Sequence, residues 1–95
     1  MFKELDPLLH SQLRLAIMSL LISVQQAEFT FILEKTGATA GNLSVQLAKL
    51  KEAGYVSVAK TFRDNYPLTT CKVTAAGVKA FDGYVRALKG YILPK

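Results

Sequence analysis

The stretch from Thr39 to Lys49 carries Thr39, Asn42, Ser44, Val45, Gln46 and Lys49, with no carboxylate among them. A side-chain amide sets a donor beside an acceptor, the pattern that pairs in bidentate fashion with an adenine edge. A branched methyl meets the thymine methyl, and a lysine with hydroxyls suits phosphate or guanine. This is the chemistry of contact with a polyanion rather than of bond making. The same residue types are common on any solvated helix face, so the elements that position them decide between the two readings.

Leu43, Leu47 and Leu50 recur at helical spacing in the same stretch, and an apolar stripe of that period turns toward a core and the polar set away from it. Thr39 is a good N-cap and Gly54 closes the run, which predicts a helix over about 40–53. Upstream, Glu28 to Phe31 can hold a short extended piece, and Thr30 can cap a brief helix over about 31–36. Gly37 then stands where a left-handed helix end favours glycine. Two helices joined by this tight turn, about 31–53, form a helix–turn–helix whose second helix fits the major groove. The period then changes. Tyr55 to Phe62 and Leu68 to Val73 are rich in β-branched and aromatic residues, with the turn formers Arg63 to Pro67 between them, so a β-hairpin is expected over about 55–73. Lys60 and Arg63 fall at or near its tip. An arginine there can reach a minor groove, although Asp64 offsets part of the charge and exposed loops carry charge for solubility in any case.

Two further helices frame this centre. Asp6 and Pro7 signal the start of the first. In it Leu9, Leu13, Ile17, Leu20 and Val24 form one apolar row, with Leu8, Leu15, Met18 and Ile22 round the side. Two apolar faces imply two packing partners, the domain core and a second subunit. Thr74 caps the last helix, about 74–93, in which Val78, Phe81, Val85, Leu88 and Ile92 recur in the three–four pattern of a helix-packing seam. Gly77, Gly83 and Gly90 weaken it by propensity or permit close helix approach.

The 95 residues allow a single domain with one modest core. Half the residues are apolar and the mean hydropathy is +0.23. That is more apolar surface than so small a fold hides alone, which points to a second copy. The net charge of +5 accumulates after residue 33 and fits a polyanionic partner. The single cysteine, Cys71, can build neither an intrachain disulfide nor a cysteine-rich metal site. It suits a reducing cytoplasm and reads as a buried, inert thiol. No signal peptide or membrane span is expected, because the most apolar stretch, Leu15 to Val24, is too short and is interrupted by Ser19 and Ser23. Catalytic signatures are lacking: His10 is the only histidine, with no identifiable partner, and Gly37 to Gly41 lacks the lysine of a P-loop. The chain is therefore read as a non-enzyme with no metal or cofactor.

The run from Thr39 through Gly54-Tyr55-Val56, continuing over Phe62-Arg63 and Val73-Thr74-Ala75-Ala76-Gly77, resembles winged-helix regulators of the MarR and ArsR type, and most of all their short stand-alone members. The likeness covers about residues 5–93. It implies an α+β fold, mainly α with a small β-hairpin: a winged helix–turn–helix with a long C-terminal dimerisation helix. It implies recognition of double-stranded DNA by Asn42, Ser44, Val45, Gln46 and Lys49, with Thr39 at the helix start, and a wing role for Lys60 and Arg63. It further implies homodimerisation through the first and last helices, with Leu13, Ile17, Leu20, Phe81, Val85, Leu88 and Ile92 as interface candidates. Metal-sensing relatives carry paired cysteines that this chain lacks, and the helices that enclose ligands in longer relatives are largely missing, so no effector is assigned. The expected function is a sequence-specific transcriptional regulator, most simply a repressor. The rival is a winged-helix protein-interaction module without DNA binding. Single-stranded nucleic acid is a weaker third reading, since no aromatic platform is evident.

Overall fold

Three leucines of one helix set the arrangement seen in the computed structural model, which describes residues 2–93. In chain order the elements are α1 (Gln12–Val24), β1 (Gln26–Glu28), α2 (Phe29–Thr36), α3 (Ala40–Glu52), β2 (Val56–Arg63), β3 (Tyr66–Val73) and α4 (Ala75–Ile92). Leu43 and Leu50 of α3 are fully buried and Leu47 nearly so, packed among Ile17, Met18 and Leu21 of α1 and Ile32 of α2. The strands form one antiparallel sheet in the order β1-β3-β2. Cys71 sits in the middle strand between Ala27 and Val58 and is completely buried.

Several local expectations are corrected. The first helix begins at Gln12, capped by the Ser11 hydroxyl, which accepts from the Arg14 N–H. Asp6 instead closes a separate turn, its carboxylate accepting from the Leu8 N–H at 2.9 Å and its carbonyl from Leu9 and His10. A Ser one helical turn before Leu15 wins over the Asp-Pro signal because the chain must bend between Leu9, in the core, and the helix. α2 starts two residues earlier than expected, at Phe29, and its N-cap Glu28 makes no side-chain capping bond. Its backbone is already held by β1, where Glu28 pairs with Thr70. The hairpin turn is shorter than the five residues expected. Only Asp64 and Asn65 turn, at φ 50° and 68°, and Tyr66 and Pro67 extend β3. Positive φ at both central residues is the geometry that matches strand twist in a two-residue hairpin.

Other expectations hold. Gly37 ends α2 in the left-handed conformation, at φ 69°. Thr39 caps α3, its hydroxyl accepting from the Asn42 N–H at 3.2 Å. Thr74 caps α4 in the same manner at 3.0 Å. Gly77 has a reason beyond propensity: a Cβ there would lie 2.2 Å from the Tyr55 carbonyl oxygen, so α4 can cross the end of the wing only on a glycine.

The apolar rows on the outer helices divide differently from the sequence pattern. Ile17 is fully buried in the chain's own core, with Leu21, which the row had not included. Burial leaves Ile17 no surface for a partner, so its place among the interface candidates is withdrawn. Leu13 and Leu20 are half-buried beside it. On α4 the inward face is Gly77, Tyr84 and Ala87. The seam of Val78, Phe81, Val85, Leu88 and Ile92 lies beside that face, half-buried at 81, 85 and 88 and exposed at 78 and 92. The molecule is elongated, 56 Å by 25 Å by 21 Å, with a radius of gyration of 14.4 Å; a compact chain of this length has about 12 Å. An extended shape leaves this apolar seam only partly covered, with Phe81 packed against the core and Val78 and Ile92 exposed. No helix among the described residues is long and apolar enough to cross a membrane.

Candidate nucleic-acid interface

The buried stripe of α3 turns its other faces outward. Thr39, Asn42, Ser44, Val45 and Lys49 are all exposed, Val45 by 51%, and Gln46 is half-buried. The first carboxylate along the helix is Glu52, in its last turn, so the surface that leads toward solvent is neutral to positive. An N-terminal helix end with unpaired N–H groups adds to that polarity.

Gln46 is less free than its neighbours. Its side-chain oxygen accepts a hydrogen bond from an Arg14 Nη, reaching across from α1, and its nitrogen donates to Asn42 Oδ1 at 3.0 Å. Arg14 is itself anchored, its Nε donating to the Leu8 carbonyl. Sequence reasoning passed over Arg14. Its signal was an arginine amid the apolar rows of the first helix, where a cation needs a specific partner.

The wing splits its two cations. Residues two apart on a strand share a face and paired residues across strands point the same way. Val58 pairs with buried Cys71, so Lys60 and Phe62 lie on the sheet face that turns to α3. Lys60 lines an open groove with Ser44, Ala48 and Lys51 of α3 and with Thr69 and Phe29. Arg63 pairs with Tyr66 and lies on the opposite face, as does Glu28, the partner of Thr70. Its guanidinium bonds the Glu28 carboxylate at 3.3 Å. Lys60 therefore joins the α3 surface and Arg63 does not. Lys51, in that groove, was not singled out from sequence. Phe62 and Tyr66 flank the turn and are the most exposed large apolar residues among those described, at 76% and 75%.

The groups that could have carried other chemistry are occupied. His10 lies just ahead of α1 and its Nδ1 meets the Tyr84 hydroxyl at 3.0 Å. Burial pushes the Cys71 thiol up from its ordinary pKa, which disfavours the reactive thiolate. Among the described residues no cluster of His, Cys, Asp and Glu could hold a metal ion.

Comparison with known proteins agrees with this geometry. Residues 13–92 match a sequence family described as a winged helix DNA-binding domain. An uncharacterized protein of Methanocaldococcus jannaschii is 36% identical over 76 residues, which span 80% of this chain and 83% of that protein. Among solved structures, a transcriptional regulator homologue from Pyrococcus horikoshii is similar with a TM-score of 0.84 at 29% identity, covering 90% of this chain and 84% of that one. A candidate transcriptional regulator of Thermoplasma acidophilum is similar with a TM-score of 0.72 at 25% identity, covering 92% and 89%. Family and fold are those of DNA-binding regulators and not of enzymes. With a helix–turn–helix, a β wing and a matched segment that runs from α1 to the end of α4, the chain belongs to the winged-helix DNA-binding family.

Proposed function

We propose that residues 2–93 act as one winged-helix unit that binds specific double-stranded DNA sites as a homodimer and represses transcription by occupying promoters in the cytoplasm. The observation that carries this reading is the exposed surface of α3 from Thr39 to Lys51, which holds no acid and is continuous with Lys60 across the groove. α3 enters the major groove, where Asn42, Ser44 and Val45 meet base edges and Thr39 and Lys49 meet phosphates. Lys60, with Lys51, holds the backbone that runs between helix and wing. The partly uncovered seam of α4 (Phe81, Val85, Leu88 and Ile92), with Leu13 and Leu20 of α1, packs against a second copy, and the two recognition helices then meet half-sites about one helical turn apart.

The test is a titration against a labelled duplex from the region upstream of the protein's own coding sequence, at low and moderate salt, with unrelated duplex as competitor. Retardation that survives the competitor and weakens steeply with salt supports the reading. No retardation at low salt overturns it in favour of a protein-interaction module, for which the exposed Phe62 and Tyr66 would be the first contacts to examine. Sedimentation of the free protein tests the dimer separately, and Leu88→Glu on the seam is expected to give a monomer.

A further inference from the structure

The hydrogen bonds around Gln46 fix more than its position. An arginine side chain has donors only, so the Gln46 oxygen must be the atom that faces Arg14. The Gln46 nitrogen then faces Asn42, whose oxygen must be the accepting atom, at 3.0 Å. The Asn42 nitrogen, with both N–H donors, is thereby directed away from Gln46, on an exposed residue of the recognition helix. An amide pair that normally can turn either way is set by one guanidinium on another helix, which is itself held by the Leu8 carbonyl.

From this chain of donors and acceptors we propose that Arg14 is a specificity-determining positioning residue: it turns the Gln46 oxygen inward and locks Asn42 with its donors outward. The proposal rests on the DNA-binding reading above. It moves base reading from Gln46, whose oxygen is taken, to Asn42. It also gives Asn42 a preference for acceptors, such as guanine O6 and N7 or thymine O4, over a donor such as the cytosine amino group. Arg14 does this from its half-buried place on α1, without touching DNA. Freed of Arg14, Gln46 can turn its amide over, and Asn42 can then present oxygen or nitrogen with similar ease.

The experiment compares the wild type with Arg14→Met and Arg14→Lys. A site selected from random duplexes by the wild type is varied one base pair at a time, and affinity is measured over a salt series. Arg14→Met is expected to lose at least about five-fold of the preference at the base pair that Asn42 reads, as the orientation that supplied it is lost, while the salt slope is unchanged. Arg14→Lys, which still donates to the Gln46 oxygen, is expected to restore part of it. If Arg14→Met keeps the wild-type preference, or loses affinity for all sequences alike with a salt slope lower by about 0.9, Arg14 is a bystander or a phosphate contact and the proposal is overturned. A wild type that selects no site overturns the DNA reading and this proposal together, a different result from a site that is selected and then read unchanged. Amide side-chain resonances of Gln46 and Asn42 in the free protein check the relay without DNA: both should move in Arg14→Met, and unmoved signals would also overturn it. Thermal melting of both variants confirms that they fold.

Discussion

α3 and the wing line the same open groove but are supported in opposite ways. α3 is braced along its whole length, with three leucines in the core, a Thr39 cap at one end and the Arg14 bridge on its flank. The wing is buried only at its base, at Val56 and Cys71. Its outer half, from Lys60 to Pro67, is exposed throughout. The two also distribute charge differently. A helix with one buried stripe can turn every polar residue to the same side. A strand must alternate, so Lys60 and Arg63, three apart, fall on opposite faces, and the second is neutralised by Glu28. Display on a helix is set by one apolar stripe, whereas display on a wing is set by strand parity and by whatever acid stands behind.

The largest effect is expected where α3 is anchored. Leu47→Ala removes a side chain that is 4% exposed and leaves a cavity between α3 and the core, at a cost of about 2–5 kcal/mol. For a domain of this size each kcal/mol lowers the melting temperature by about 4–8 °C, so thermal denaturation reads it directly. Val58→Ala, on a half-buried residue of the wing base, should cost less than half as much. Equal losses would mean that helix and wing are supported alike, against the contrast drawn above.

The next effect separates the two wing cations. Lys60→Ala should lower DNA affinity several-fold and flatten the log–log salt slope by about 0.9, as one lost phosphate contact does. Arg63→Ala should change both far less. Glu28→Gln sharpens the test, because it releases Arg63 from its ion pair without altering the shape of the side chain. If a freed Arg63 can swing to the duplex, Glu28→Gln will bind more tightly and with a steeper slope. The ion pair itself, with side chains 65% and 37% exposed, contributes about 0–1 kcal/mol to stability, so the melting temperature should hardly move.

A smaller effect comes from the join between the wing base and the N-terminal turn. The Tyr55 hydroxyl donates to Asp6 Oδ2 at 2.7 Å. That hydrogen bond, then burial and the adjacent carboxylate, raise the Tyr55 pKa above the ordinary tyrosine range. The bond needs the protonated phenol. Its contribution is therefore complete at pH below the ordinary tyrosine value and is lost as pH rises through the raised value of the folded state. Tyr55→Phe should cost about 1 kcal/mol near neutral pH and should remove this part of the alkaline loss of stability.

How much of this was legible follows the same division. The stripe Leu43-Leu47-Leu50, the Thr39 cap and Gly37 are local signals, and they located α3 and its exposed residues from the sequence alone. The paired tertiary features were not legible. Arg14 and Gln46 are distant in sequence, and nothing local says that one holds the other. Strand parity could have separated Lys60 from Arg63, but it depended on knowing that the turn is only Asp64-Asn65, so that Arg63 still belongs to β2. On the outer helices the three–four pattern located apolar positions without ranking them. Ile17 went to the core and the α4 seam stayed outside because Tyr84 and Ala87, weaker signals than Val85 or Leu88, take the inward face.

The smallest effect, that of Asn65→Gly, tests the wing tip by itself, with Asn65→Val as its strained counterpart. Asp64 and Asn65 both hold positive φ, the two-residue turn for which Asp-Gly and Asn-Gly are the favoured pairs. Asn65→Gly relieves the residual cost of a left-handed residue with a side chain, but glycine also gains freedom in the unfolded chain, worth about 0.5–1 kcal/mol against it. The balance should be a change within about 0.5 kcal/mol. Asn65→Val has no such balance: a β-branched residue at this φ is strained by about 1–3 kcal/mol and should lower the melting temperature clearly. Because the tip is exposed and lies outside the core cluster, the strain of Asn65→Val should be felt in the outer hairpin first. Hydrogen exchange should then quicken at Lys60 to Leu68 while the amides of α3 keep their protection, as expected if local opening follows local support. Equal loss of protection in α3 would instead join the tip to the recognition helix and erase the contrast between them.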